Sequence, residues 1–126
     1  MNIRKALALI AVFAGTTMIA AGSEAGKPVT VKGYVLDSAC AFTKGLTKPL
    51  SADCARACAR AGSPLVIVAD DGTIYWPIAD TTPASGQNTK LMPLAGRRVR
   101  ASGKVYARGG STAIVIESIA AETAQK

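Results

Sequence analysis

Three cysteines, Cys40, Cys54 and Cys58, are the side chains in this sequence best suited to chemistry. They fall within the nineteen residues from Cys40 to Cys58 of the stretch DSACAFTKGLTKPLSADCARAC, at the spacing C-x13-C-x3-C. Such a cluster supports three kinds of chemistry. The first is a structural disulfide. Cys54 with Cys58 is the poorest pair, because side chains on successive turns of a regular helix do not easily meet disulfide geometry. Cys40 with either of the others would clip a loop to a helix. Closing a loop of about 15 residues contributes on the order of 3 kcal/mol in the chain-entropy model. The second is a thiolate metal site, for which three sulfurs suit Cu(I); Zn(II) would need a fourth ligand, such as Asp37 or Asp53. The third is a reactive thiol at Cys54, in the first turn of a helix, where the dipole favours the thiolate. Lys44, Lys48 and Arg56 are near in sequence. No C-x-x-C and no βαβ pattern accompanies it, so thioredoxin chemistry is unsupported.

The rest of the sequence offers little to a catalyst. It contains no histidine, which removes Ser-His and Cys-His catalysis and histidine metal sites. Asp70 and Asp71 explain themselves as turn residues, and no two carboxylates pair convincingly for acid–base work. There is no phosphate loop and no dinucleotide fingerprint. The expectation is a non-catalytic protein with no cofactor, with bound Cu(I) or Zn as the alternative.

The elements that must hold the cysteines are mostly strands. Val29–Leu36 alternates, with Val29, Val31, Gly33 and Val35 on one face and Thr30, Lys32 and Tyr34 on the other. Gly33 in mid-strand signals a bulge or bend. Residues 37–50 read as loop. A short helix follows, capped by Ser51, favoured by Asp53 and stopped by Gly62 and Pro64. On it Cys54, Ala57, Cys58 and Ala61 form one stripe, expected to face the barrel, with Arg56 and Arg60 opposite. Leu65–Ala69 (LVIVA) reads as a strand buried on both faces. Asp70-Asp71-Gly72 is a hairpin turn, and Thr73–Ile78 returns, with Pro77 at an edge or bulge. Trp76 alternates with Ile74 and Ile78 and reads as core. Residues 79–90 form a polar connection, and Leu91–Ala95 a single helical turn. Arg97–Ala107 alternates again, Arg108-Gly109-Gly110 turns, and Ser111–Ile119 is the last strand, with a frayed or weakly helical tail from Ala120.

The fold expected is mainly β: a small five-stranded Greek-key barrel of the OB type, with one short cysteine-bearing helix between the first and second strands. In such a barrel the first and fourth strands are neighbours. Their polar faces then place Lys32, Tyr34, Arg98, Arg100, Lys104 and Tyr106 on one outer wall, with Tyr75 joining from the third strand. Barrel strands ordinarily expose residues of these types. Cations interleaved with tyrosines are also what an oligomer-binding face uses, since cations hold anionic groups and rings stack on bases or sugars.

The segment LAGRRVRASGKVYARGGSTAIVIESI resembles the last two strands of small exported OB-like proteins, in which a leucine–glycine turn leads into a V-x-x-x-G-x-V strand. GYVLDSAC and CARACARAGSPLVIVADDGTIY together resemble a group of small bacterial exported proteins. In that group D-S-x-C and C-A-x-x-C-x-x-x-G-x-P precede a hairpin containing D-G. The resemblance spans residues 31–119 and implies fold and export, but no reaction.

The N-terminus supports export independently. Arg4 and Lys5 precede an apolar run over Ala6–Ala21, followed by small residues, the pattern of a signal peptide cleaved after Gly22 or Ala25. The expectation is a signal over residues 1–25 and a single OB-like domain over 26–126. The protein would be periplasmic or secreted, with no transmembrane segment after cleavage. Among 126 residues, 49% are apolar and 18% charged, with net charge +7. Removing Arg4 and Lys5 leaves +5, or +6 if Glu24 is cut away too. A basic exported domain meets anionic glycans, lipid headgroups or envelope proteins; secretion argues against nucleic acid.

Overall fold

The computed structural model describes residues 26–46 and 50–123. The expected signal segment and Lys48 lie outside these residues. Five strands, β1 (Lys27–Asp37), β2 (Leu65–Ala69), β3 (Ile74–Ile78), β4 (Arg98–Arg108) and β5 (Ser111–Ala121), form a closed barrel. Their order around it is β1-β2-β3-β5-β4. Every neighbouring pair is antiparallel except β3 with β5, which run parallel. The chain is therefore mainly β, as the alternating segments predict. No described helix is long and apolar enough to cross a membrane.

β1 spans two parts of the barrel. Lys27 to Tyr34 pair with β4, and Gly33 to Asp37 pair with β2. Gly33 sits at the changeover, opposite both Ala69 and Val99. A Cβ there would strike the Val68 carbonyl oxygen and lie 2.7 Å from Ala69 Cα. The bend signalled by a mid-strand glycine is the point where β1 exchanges one partner for the other. Pro77 is tolerated for a related reason. β3 pairs with β2 only through Ile74 and Tyr75, so at Pro77 only β5 remains as a neighbour.

All five residues of β2 are buried, but in two different places. Leu65, Ile67 and Ala69 point into the barrel with Val35, Val99 and Ile114. Val66 and Val68 point outward into a second cluster with Leu36 and Ala41. A helix covers that outer cluster where the sequence predicts loop: α1 (Ser38–Thr43). It forms because Asp37 is an N-cap, its side chain accepting the Cys40 N–H. A second helix, α2 (Ala52–Arg60), follows before β2. The single cysteine-bearing helix expected is therefore a pair, with Cys40 on α1 and Cys54 and Cys58 on α2. The connection from β3 to β4 is also more ordered than its polarity predicts. It holds α3 (Gln87–Leu91) and a 3-10 turn over Met92–Leu94, with Leu91 fully buried in the barrel core.

Candidate functional site

Asp37 stands at the corner of the fold that carries the cysteines, with Cys40 and Cys54 lining the same pocket. This carboxylate is the last residue of β1 and only 2% exposed. It accepts the Cys40 amide at 2.9 Å, a short hydrogen bond from the Ser63 hydroxyl, and the Cys40 thiol. Burial pushes the Asp37 carboxyl up, but those donors outweigh it and hold the group below the ordinary carboxylate range. Asp37 thereby joins α1 to the segment that leads from α2 into β2.

On α2 the structure corrects the expected stripe. The buried residues are Ala55 and Ala59; Cys54 is exposed and Cys58 half-buried. The barrel takes the alanine face because the backbones come very close there. A Cβ on Gly96 would lie 2.6 Å from Ala52 Cα. Methyl groups fit such a seam better than sulfurs, so the cysteines are displaced to the flank. Ser51 caps the helix by accepting the Cys54 N–H at 3.1 Å. Cys40 and Cys54 line one pocket of about 160 Å³ with Asp37, Lys44, Leu50 and Ser51.

No disulfide joins the three cysteines in this structure. Burial, the hydrogen bond to Asp37 and its charge raise the Cys40 thiol above its usual range. Burial, Asp37 and the neighbouring Cys54 thiol do the same at Cys58. Both sulfurs are therefore held as thiols at neutral pH, which works against nucleophilic chemistry at either. Among the described residues no group of three His, Cys, Asp or Glu side chains converges closely enough to hold a metal ion.

The second arrangement is the wall made by β1 and β4. Their register places Tyr34 opposite Arg98, Lys32 opposite Arg100, Thr30 opposite Ser102 and Pro28 opposite Lys104. The Thr30 and Ser102 hydroxyls are bonded at 3.0 Å. Tyr106 lies beyond, its ring over Gly26, where a Cβ would meet it at 2.5 Å. Six of the seven wall residues named from the sequence thus follow one track along the two strands. Tyr75 does not join them. It pairs with Ile67, shares that residue's inward parity and packs against the barrel core. Trp76 also departs from expectation: it packs on the outer cluster, with its ring centroid 6.0 Å from that of Phe42, which is 66% exposed.

At one end the track widens into a depression of about 700 Å³. It is lined by Lys32, Tyr34, Arg98, Arg100 and the end of β5, including Glu122. Arg98 is fixed from three sides. Its guanidinium meets both Asp70 oxygens at 2.6 Å, its Nε donates to Glu122 at 2.9 Å, and its Cζ lies 5.6 Å from the centre of the Tyr34 ring. Asp70 and Glu122 hold it firmly in its charged form. Glu122 also meets Arg100 at 3.2 Å and Lys32 at 3.7 Å.

Three residues of these sites escape the sequence reading. Asp70 looks like a turn residue but clamps Arg98, and Glu122 lies in a tail expected to fray. Asn88 lies in a segment expected to be irregular. It accepts the Leu65 N–H at 2.8 Å and donates to the Ser63 carbonyl at 2.7 Å and the Ala59 carbonyl at 3.4 Å. Only the apolar alternation running on from Ile119 to Ala121 hints that β5 extends as far as the residue before Glu122.

No protein-family model matches the chain, and neither a curated protein nor a solved structure shows significant similarity to it.

Proposed function

We propose that this chain is a non-catalytic, exported binding module of OB-like topology whose β1–β4 wall takes a linear acidic glycan. The strand order and the parallel closure by β3 and β5 support the OB-like reading, in which the long first strand pairs on both sides. The carrying observation is the track itself. Residues of like parity on β4 recur about every 6.6–6.8 Å, so Arg98, Arg100 and Lys104 form a row of cations. Tyr34 and Tyr106 stand at its two ends. A repeating polyanion matches a row of spaced cations, and sugar rings match the tyrosine faces. The ion pairs along the row do not forbid this. Lys32, Arg100 and Lys104 are about half exposed, and their carboxylate partners lie 3.2–4.0 Å away. The exposed Lys104–Glu117 pair is worth roughly 0–1 kcal/mol, and at the less exposed Glu122 a ligand carboxylate would replace a group of its own kind.

The cysteine corner serves in this reading as a staple. Oxidation of Cys40 with Cys54, which share one pocket, would lock α1 onto α2 in an exported environment.

The test is binding of an oligogalacturonate to the full chain, followed by calorimetry across a salt series. Affinity should fall as salt rises, because exposed charges are screened within about 10 Å at 0.1 M salt. Replacing both Lys32 and Arg100 with Ala should abolish binding while leaving the barrel folded. Binding to anionic vesicles but not to the glycan would redirect the wall to a lipid surface.

A further inference from the structure

Three cations converge on one carboxylate inside the depression on the wall. Glu122 Oε1 faces Arg100 at 3.2 Å and Lys32 at 3.7 Å, and Glu122 Oε2 accepts from Arg98 Nε at 2.9 Å. Opposite charges within this range, each brought by a different rung or strand, are what a bound carboxylate would meet. Here the carboxylate belongs to the chain. It stands one residue beyond β5, its amide donating to the Arg98 carbonyl at 2.9 Å, so its backbone is anchored while its side chain reaches back over the wall. Among the described residues, Arg98 alone of these cations makes an ion pair with a second carboxylate, the bidentate Asp70, whose charge Lys32 feels only at longer range. Arg98 would therefore keep its position if Glu122 swung away, whereas Lys32 and Arg100 would be released.

We infer that Glu122 is a built-in occupant of the wall's anion site, which a carboxylate group of an acidic sugar displaces when the ligand binds. The inference rests on the wall being the ligand face and adds how that face is regulated. The ligand group is a carboxylate because the place vacated is that of a carboxylate: one oxygen shared by Lys32 and Arg100, the other bound by Arg98. Binding then exchanges one carboxylate for another at the same three cations. The unliganded wall stays close to neutral, and affinity is held below what the bare cations would give. Only a ligand with further charges to reach Lys104 gains enough to displace the intramolecular group, which starts with the advantage of its tether. A single free sugar acid competes poorly. A phosphate or sulfate would put a third oxygen where Glu122 supplies none.

The experiment compares the full wild-type chain with Glu122→Gln, using an oligogalacturonate as the probe and monomeric galacturonate beside it. Glu122→Gln keeps the side-chain length, and its Oε1 can still accept from Arg98. Glu122→Ala serves as a second variant in case the amide itself blocks the site, and thermal melting of both reports that the barrel is intact. The expected result is roughly tenfold tighter oligomer binding in the variants, with the monomer detectable only in them. In wild type, the Glu122 carboxyl should titrate closer to the ordinary carboxylate range when the oligomer is bound, because the cations that hold it ionised are then engaged elsewhere. That readout follows Glu122 directly and is independent of affinity. Equal affinities in wild type and both variants, with no change in the Glu122 titration, would overturn the displacement while leaving the wall as the ligand face. Absence of oligomer binding in all three would overturn both. Tighter binding of inorganic phosphate than of galacturonate by Glu122→Gln would overturn the assignment to a carboxylate.

Discussion

Asp37 is the residue on which the cysteine corner depends. A buried carboxylate survives only when donors satisfy it, and here the Ser63 hydroxyl, the Cys40 amide and the Cys40 thiol do so. Asp37→Asn offers an NH2 group to neighbours that are themselves donors. It should cost about 1–3 kcal/mol, read as a lower urea midpoint. The sign of the pH effect follows from the depressed carboxyl. Its contribution is fully present above the ordinary carboxylate range and is lost as the pH falls through its lower folded value. Wild-type stability should therefore fall below about pH 4, and Asp37→Asn should remove part of that slope. Asp70, whose carboxyl is lowered mainly by its bonds to Arg98, adds to the slope in the same direction. The sequence names Asp37 only as a spare metal ligand. The D-S-x-C spacing is in fact a helix cap, and a cap is legible only once a helix is suspected.

At the scale of elements, the long connections carry more structure than their composition suggests. α3 and the segment between α2 and β2 are joined by Asn88, whose amide satisfies the buried Leu65 N–H. Asn88→Ala leaves that donor without a partner and should cost about 1–3 kcal/mol. Hydrogen exchange should then show faster opening at Leu65, while Trp76 and the β1–β4 wall keep their protection. Asn88 lies 23 residues from Leu65 in sequence, so no local pattern signals the contact. The strands are different. Alternation in β1 and β4 gives their inward and outward faces directly, because a residue's parity decides its side. Parity fails at Tyr75 and Trp76 on β3, where partly buried residues on both faces offer no polar side to read. On α2 the helix and its cap are legible, but the choice between adjacent alanine and cysteine stripes is not. That choice depends on how closely Gly96 approaches Ala52, a contact between distant parts of the chain.

At the scale of the whole molecule, the barrel separates two regions. Two helices and three thiols occupy the connection from β1 to β2, and the charged wall runs along β1 and β4. The proposed staple belongs to the first region. Alkylation and mass measurement of the protein purified from an oxidising compartment should find one free thiol, with peptide mapping placing the bridge between Cys40 and Cys54. Three free thiols with stoichiometric copper or zinc would instead make the cysteine corner a metal site. The wall belongs to the second region, and its charge balance explains why a chain of net charge +7 has no bare cationic face there: Glu122 meets Lys32, Arg98 and Arg100, Asp70 meets Arg98 again, and Glu117 meets Lys104. Composition reports the excess of positive charge; only the closed barrel reveals which carboxylates meet it. The most direct test of the wall as the ligand face is a backbone amide chemical-shift map of the full chain titrated with oligogalacturonate. Shifts should concentrate at Lys32, Tyr34, Arg98, Arg100, Lys104 and Tyr106, and at Glu122 as it is displaced. Shifts confined to the pocket of Cys40 and Cys54, or no shifts at low salt, would contradict the wall as the ligand face.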